Sequence, residues 1–138
     1  DHHFFCILAS GEVTATMAWY AEHLGLEERG GYTIPYTMIN KAFGLPDTHM
    51  TSLSMAQKGR LPIVEIDDYP SIATVRAKGE GMLPPGNALV TLAVDSLDRP
   101  GLDFITPPVV RSGAFYANRR TATVIGPAGE LLELVEIS

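Results

Sequence analysis

The sequence has little cysteine, little positive charge and no long apolar run, and each shortage excludes a class of protein. Its one cysteine, Cys6, excludes an internal disulfide and any zinc site that is built on paired cysteines. Ten basic residues stand against 16 acidic ones, for a net charge of −6, and they form no basic cluster. We therefore expect no nucleic-acid partner and no binding to an anionic membrane surface.

The hydropathy and the length of the sequence exclude further classes of protein. No apolar stretch approaches the roughly 20 residues that a membrane-spanning helix needs, and no signal-peptide pattern is present. We therefore expect no membrane partner and a cytoplasmic location. The length of 138 residues suits one domain, or two half-sized modules that share a core.

The first half of the chain predicts a strand, a helix and three further strands. The apolar run over 4–9 predicts a buried strand. A helix should follow, with Ser10 as its N-cap and Gly25 at its end. The residues that recur at helical spacing, and that should be buried, are Val13, Met17, Tyr20 and Leu24. The remaining predicted elements are a strand with a loop over 26–36, a short helix over 38–45, and a hairpin of strands over 49–57 and 61–67.

A change in composition follows at 69–86, which is rich in proline and glycine and is typical of a linker. Beyond it the sequence predicts a strand over 88–95 and strands over 120–125 and 131–137. Between them, residues 97–105 can form at most a short helix, because Pro100 and Gly101 interrupt it.

The order of these elements repeats, since one strand, one helix and further strands occur in each half. The matching strand ends support an internal repeat: EIDD begins at Glu65 and ELVE begins at Glu133, 68 residues later. Strand alternation places Ile63, Glu65 and Asp67 on one face of their strand. The same alternation places Glu133 on the opposite face from Leu132 and Leu134, which should point toward covering helices.

Three motifs carry a resemblance to a known superfamily. They are WYAEHLGL at 19–26, VDSLD at 94–98 and GPAGELLELVE at 126–136. Together with the order of elements, they make the chain similar to the vicinal oxygen chelate superfamily. Its members include glyoxalase I, bleomycin-resistance proteins, epimerases and extradiol dioxygenases.

The resemblance implies an α+β fold in which two βαβββ modules form one cup-shaped domain of mixed sheets over 1–138. Module one should cover about 3–68 and module two about 87–138, with the linker at 69–86 between them. The helix of the second module should be short.

The resemblance also implies four metal ligands, two in each module. The two glutamate positions of the family pattern fall on Glu65 and Glu133. The two positions that are usually imidazoles fall on Phe5 and Leu89, which cannot coordinate a metal. His3 lies two residues before Phe5 on the same strand face, and it is the alternative ligand. We expect no cofactor, and a divalent metal remains possible only through Glu65, Glu133 and His3.

Several of these side chains are candidates for a functional site. Glu65 and Glu133 are candidate catalytic bases, since burial and mutual repulsion would raise the pKa of one of them toward neutrality. Phe5 and Leu89 would form an apolar wall for an organic ligand, and His49 and Arg119 are candidate ligand contacts. An arginine at 119 or 120 would face inward, where it would pair with Glu133 or hold a ligand carboxylate.

Three classes of function remain open at this point. The first is a protein that binds a small, largely apolar organic molecule without the usual metal. The second is a metal-dependent lyase, isomerase or dioxygenase with an altered ligand set, so whether the chain is an enzyme stays open. The third is a catalytically idle interaction domain. In each case we expect a homodimer, because exposed sheet edges are usually covered by a partner.

Overall fold

The computed structural model describes residues 5–86 and 89–137, and these residues form two compact units. The first unit extends to Val75 and the second begins at Arg76. The strands and helices of the first unit are β1 (Cys6–Ser10), α1 (Val13–Leu24), β2 (Glu27–Ile34), α2 (Thr37–Phe43), β3 (Thr51–Lys58) and β4 (Leu61–Asp68). The strands of the second unit are β5 (Val90–Val94), β6 (Phe104–Arg111), β7 (Arg119–Ile125) and β8 (Leu131–Glu136).

Each unit contains a four-stranded mixed sheet, and the two sheets have the same strand order. The first sheet runs β1-β4-β3-β2 and the second runs β5-β8-β7-β6. In both, the first strand pairs in parallel with the last, and the remaining pairs are antiparallel. The predicted α+β fold with a duplicated strand pattern is confirmed.

Helix α1 packs on β3 and β4 and covers one face of the first sheet. Its buried side chains are Thr16, Met17, Tyr20 and Leu24, so three of the four predicted residues are buried, whereas Val13 is half-buried. The helix ends as predicted at Gly25, which adopts the left-handed conformation with φ 67° and donates its N–H to Ala21. At 12 residues, α1 is the longest described helix, and none of the described helices is long and apolar enough to span a membrane.

The beginning of α1 differs from the prediction. Ser10 is the last residue of β1 and pairs with Asp68, so it stays extended and does not cap the helix. Glu12 occupies the N-cap position without a side-chain capping bond. The Ser10 hydroxyl instead accepts a hydrogen bond from the Glu12 N–H at 3.0 Å and shares one with the Thr16 hydroxyl at 2.8 Å. The side chain therefore links the strand to the helix from outside the helix.

The second unit departs from the expected pattern between β5 and β7. No helix forms among its residues 89–137, and the short helix expected over 97–105 is replaced by turns that contain Gly101 with φ 82°. The strand β6, which the βαβββ pattern implies but to which the sequence analysis assigned no residues, begins within that segment. Its pairing with β7 skips Pro107 and Pro108, which have no N–H to donate to the ladder. The proline pair is tolerated because β6 is an edge strand.

Residues 89–137 contribute no helix of their own to the second sheet. Leu132 and Leu134 are fully buried as expected. Leu97, which is 1% exposed, lies in the turn segment where the helix was expected, and its N–H donates to the Glu136 carboxylate at 2.9 Å. This segment therefore supplies a buried leucine and a hydrogen bond to β8 without forming a helix.

A bulge in β2 depends on one of its two glycines. The pairing between β2 and β3 shifts between Arg29 and Tyr32, at Gly30 and Gly31. A β-carbon on Gly31 would overlap the carbonyl oxygen of Leu53, whereas nothing lies within 4 Å of the corresponding position on Gly30. The close approach of the two strands therefore requires glycine at 31 and tolerates a side chain at 30.

We expect Gly31→Ala to lower the free energy of unfolding by roughly 1–3 kcal/mol, because the strands must separate to admit the methyl group. Gly30→Ala is the matched control and should change it by less than about 0.5 kcal/mol. Urea denaturation followed by circular dichroism measures both. Equal effects of the two substitutions would contradict the role assigned to the bulge.

Candidate functional site

The two predicted glutamates occupy corresponding positions in the two sheets. Glu65 lies on β4 and Glu133 lies on β8, and both strands are in the interior of their sheets. In the parallel ladders, Ile7 is the partner of Glu65 and Thr91 is the partner of Glu133. The two glutamates therefore correspond residue for residue in the duplicated sheets. Their surroundings differ because the strand beside Glu133 offers a hydrogen-bond donor and the strand beside Glu65 offers an isoleucine.

Glu133 lies in a polar cluster in which both of its carboxylate oxygens are bonded. Thr91 donates its hydroxyl to Oε2 at 2.8 Å, and Tyr116 donates its hydroxyl to Oε1 at 3.0 Å. Glu133 itself is only 9% exposed. The hydrogen bond to Glu133 raises the pKa of Tyr116, so that its hydroxyl stays protonated and remains a donor. The carboxylate is thus held in one orientation by two neutral groups.

Arg111 completes this cluster. Its guanidinium carbon lies 5.9 Å from the ring centroid of Tyr116, and its Nε donates to the Thr121 hydroxyl at 2.9 Å. We call Glu133, Thr91, Tyr116 and Arg111 the Glu133 cluster. Strand alternation in β5 could have identified Thr91 from the sequence. Arg111 could not be identified because it ends β6, to which no residues were assigned, and Tyr116 lies in the turn after β6.

The two adjacent arginines do not meet Glu133. Arg119 is exposed at the start of β7, opposite Arg111. Arg120 donates to Asp98 at 2.8 Å and lies 3.3 Å from the Glu136 carboxylate. The hydrogen bond from Arg120 lowers the pKa of Asp98. The expected pairing of an arginine with Glu133 is therefore replaced, among the described contacts, by the hydroxyls of the Glu133 cluster.

In the first unit, the strongest electrostatic feature is Asp67, on the same face of β4 as Glu65. Asp67 is 3% exposed, and its Oδ1 has no hydrogen-bond partner in the described structure. Burial, then the charge and hydrogen bond of Glu65, raise the pKa of Asp67 to about 6. The raised pKa that was expected of a glutamate is thus found at Asp67, two residues after Glu65.

Tyr36 shares the surroundings of this acidic pair. Burial raises its pKa first, and the negative charges of Asp67 and Glu65 raise it further. Tyr36 immediately precedes α2, which also carries Phe43 in an edge-to-face contact with Tyr69 at 5.6 Å. The short helix therefore brings aromatic and phenolic groups to the end of β4 where the two carboxyl groups lie.

The other predicted site residues lie as follows. Phe5 is half-buried immediately before β1, and Leu89 is 44% exposed immediately before β5, so the two occupy matching positions. His49 is half-buried, and its backbone carbonyl accepts a hydrogen bond from the Asn40 amide at 3.0 Å. His3 lies outside the described residues. Their roles in ligand binding stay predictions.

The described residues do not fit the metal centre that the resemblance implies. Among residues 5–86 and 89–137, no three histidine, cysteine, aspartate or glutamate side chains are grouped so as to hold a metal ion. Phe5 and Leu89 carry no donor atoms, and hydroxyl groups bind both oxygens of Glu133. No step of a metal-dependent reaction can be derived from these side chains.

Comparison by sequence gives no relative, since no protein-family model and no curated protein matches the chain. Comparison by structure gives close agreement in fold. A glyoxalase family protein from Bacillus cereus aligns with a TM-score of 0.65 at 17% identity, covering 96% of this chain and 91% of that one. TioX from Micromonospora sp. ML1 aligns with a TM-score of 0.58 at 16% identity, covering 99% and 98%.

A third structure belongs to a member of the glyoxalase/bleomycin resistance protein/dioxygenase superfamily from Sphaerobacter thermophilus DSM 20745. It aligns with a TM-score of 0.55 at 15% identity and covers 99% of this chain and 98% of its own. These structural alignments establish a shared fold, whereas sequence identities this low carry no information on shared chemistry. The chain therefore has the vicinal oxygen chelate fold of the glyoxalase-like proteins.

Proposed function

We propose that the chain is a glyoxalase/bleomycin-resistance-like protein that binds a small, largely apolar organic molecule without the usual metal centre. The observation that carries the proposal is the Glu133 cluster. A carboxylate that is held by two hydroxyl groups still has lone pairs to offer a ligand. The ligand would therefore combine an apolar body with a positive charge or a hydrogen-bond donor.

The neighbourhood of Glu133 favours ligand binding over metal binding. Thr91 and Tyr116 already bond both carboxylate oxygens, and neither offers the imidazole nitrogen that suits zinc, nickel or iron. Leu89, two residues before Thr91 in the same unit, offers apolar surface for an organic ligand, as Phe5 does at the matching position of the first unit. These features support a hydrogen-bonded carboxyl anchor with apolar surface in its own unit.

Glu133→Gln should weaken binding of protonated 1-naphthylmethylamine about tenfold, because it removes a charge-assisted hydrogen bond. Binding of the neutral 1-naphthylmethanol should hardly change, and the free energy of unfolding should change by no more than about 1 kcal/mol. Calorimetric titration and thermal denaturation measure these quantities. Glu28→Gln, on the exposed strand β2, is the matched control. Equal binding of amine and alcohol to the unmodified protein would contradict the proposal.

The purified protein should hold well under one equivalent of transition metal after incubation with nickel, zinc, iron or manganese and dialysis. The physical reason is that the two imidazole positions of the family are Phe5 and Leu89. Elemental analysis measures the content, with His3→Ala analysed in parallel. One equivalent that survives dialysis, and that His3→Ala abolishes, would overturn the expectation and identify His3 as the replacement ligand.

A second candidate function is proton transfer in a lyase or isomerase reaction, and Asp67 favours it. A carboxyl group with a pKa of about 6 is a stronger base than an ordinary aspartate and is still mostly ionised, and so able to accept a proton, at neutral pH. It would remove a proton from a carbon beside a carbonyl, with Glu65 as the neighbouring group that tunes it. This candidate needs no metal at Glu65.

The pKa of Asp67 has a consequence for stability. In the unfolded chain the carboxyl group has its ordinary pKa of 3.8, whereas in the folded protein its pKa is about 6. The free energy of unfolding should therefore fall by a total on the order of 2–3 kcal/mol as the pH rises between these two values. Above the higher value it should stay level. Asp67→Asn should remove this fall, and the adjacent, exposed Asp68→Asn should keep it. Urea denaturation at a series of pH values measures the slopes, and equal slopes for the unmodified protein and Asp67→Asn would contradict the assignment.

We also propose that the protein is a homodimer. The edge strand β2 is exposed along its full length of eight residues, and it carries Ile34 among its exposed side chains. A long exposed edge favours pairing with a second copy. The segments at 38–45 and 68–86 are further candidate contacts.

A further inference from the structure

A cavity with a volume of about 310 Å³ lies in the first unit, beside β2 and the turn that joins β3 to β4. This volume is at the lower end of the range of roughly 300–1,000 Å³ that is typical of small-molecule sites. The side chains that line it are Arg29, Tyr32, Met55, Gln57, Arg60 and Pro62. None of them is acidic, although Met55 pairs with Glu65 in the ladder between β3 and β4, so the cavity borders the acidic pair of the first unit.

The cavity has an unusual charge for this protein. The chain carries a net charge of −6, but two arginines and no acidic residue line the cavity. The ion pairs seen within the described ranges include none with Arg29 or Arg60. Two arginines therefore line one small space, which favours an anionic occupant.

The bulge in β2 is what brings an aromatic ring to this space. Arg29 and Tyr32 are three residues apart, so regular alternation would place them on opposite faces of the sheet. Instead, Arg29 pairs with Met55 and Tyr32 pairs with Leu53, which are two residues apart on β3 and share a face. The shift at the two glycines thus turns both side chains to the same side. The Tyr32 ring is 66% exposed and available for contact.

The remaining lining adds apolar surface and one amide. Met55 and Pro62 supply soft and flat apolar contacts. Gln57 is 8% exposed, and its amide is both a donor and an acceptor. An inorganic anion would use only the arginines, whereas an organic anion would use the arginines and the apolar side chains together.

We propose that this cavity binds an organic carboxylate with an aromatic or similarly flat apolar body. Arg29 and Arg60 would hold the carboxylate, and Tyr32 and Met55 would contact the body. The inference goes beyond the proposed function, because the Glu133 cluster belongs to the other unit and selects for positive charge or a donor. The two ligand preferences depend on separate side chains.

The test uses 2-naphthoate as the probe, with neutral 2-naphthamide and inorganic phosphate for comparison, in calorimetric titrations at low ionic strength. Naphthoate should bind at least about tenfold more tightly than naphthamide. Arg29→Gln and Arg60→Gln should each weaken naphthoate binding about tenfold and leave naphthamide binding unchanged. Tyr32→Leu should weaken both, and Arg76→Gln, an exposed arginine outside the cavity, should weaken neither.

Several results would overturn the proposal. These are no naphthoate binding, equal binding of naphthoate and naphthamide, or an equal loss in Arg76→Gln. Phosphate binding as tight as naphthoate binding, with no effect of Tyr32→Leu, would mean a site for inorganic anions and would also overturn it. Thermal denaturation of each variant shows that it is folded. Failure of the Glu133 proposal is distinguishable, since it appears only as loss of charge selectivity for the naphthyl amine over the alcohol.

Discussion

The parallel pairing of the first and last strands in each unit is the constraint on which the rest of the structure depends. It places β1 beside β4 and β5 beside β8, so each glutamate gains a neighbour from the start of its own unit. A parallel pair needs a crossover on one face of the sheet. In the first unit the connection from β1 to β4 contains the helix α1. In the second unit the described connection from β5 to β8 contains turns and the strands β6 and β7, without a helix. The pairing therefore survives the loss of the helix.

The two units meet the cost of an interior carboxyl group in different ways. An ionised carboxylate out of water must be bonded, paired or neutralised. In the second unit the hydroxyls of Thr91 and Tyr116 bond Glu133. In the first unit Ile7 offers no donor beside Glu65, and Asp67 holds its proton up to about pH 6. The first arrangement suits fixed recognition of a ligand, and the second suits proton exchange.

Regular features were predictable from the sequence, and irregular ones were not. The end of α1 at Gly25 and the turn between β3 and β4 depend on local residues, and both were found. The residues of β6 were not identified from the sequence, although the βαβββ pattern implies a strand in this place. Pro107 and Pro108 argue against a strand, and the edge position and the skipped pairing accommodate them. Arg111, the last residue of β6, was therefore not identified as a site residue either. The raised pKa of Asp67 depends on burial by tertiary packing, which strand alternation alone does not reveal.

The irregular positions also carry the chemistry that distinguishes one unit from the other. Duplication reproduces the glutamates and the apolar positions before β1 and β5 in both units, so these alone cannot make the units different. The bulge at Gly31 turns Arg29 and Tyr32 to one side of the first sheet. In the second, the turn after β6 presents Tyr116 to Glu133. Since a bulge or turn can change without altering the strand order, ligand preference in this fold can diverge while the sheets stay the same.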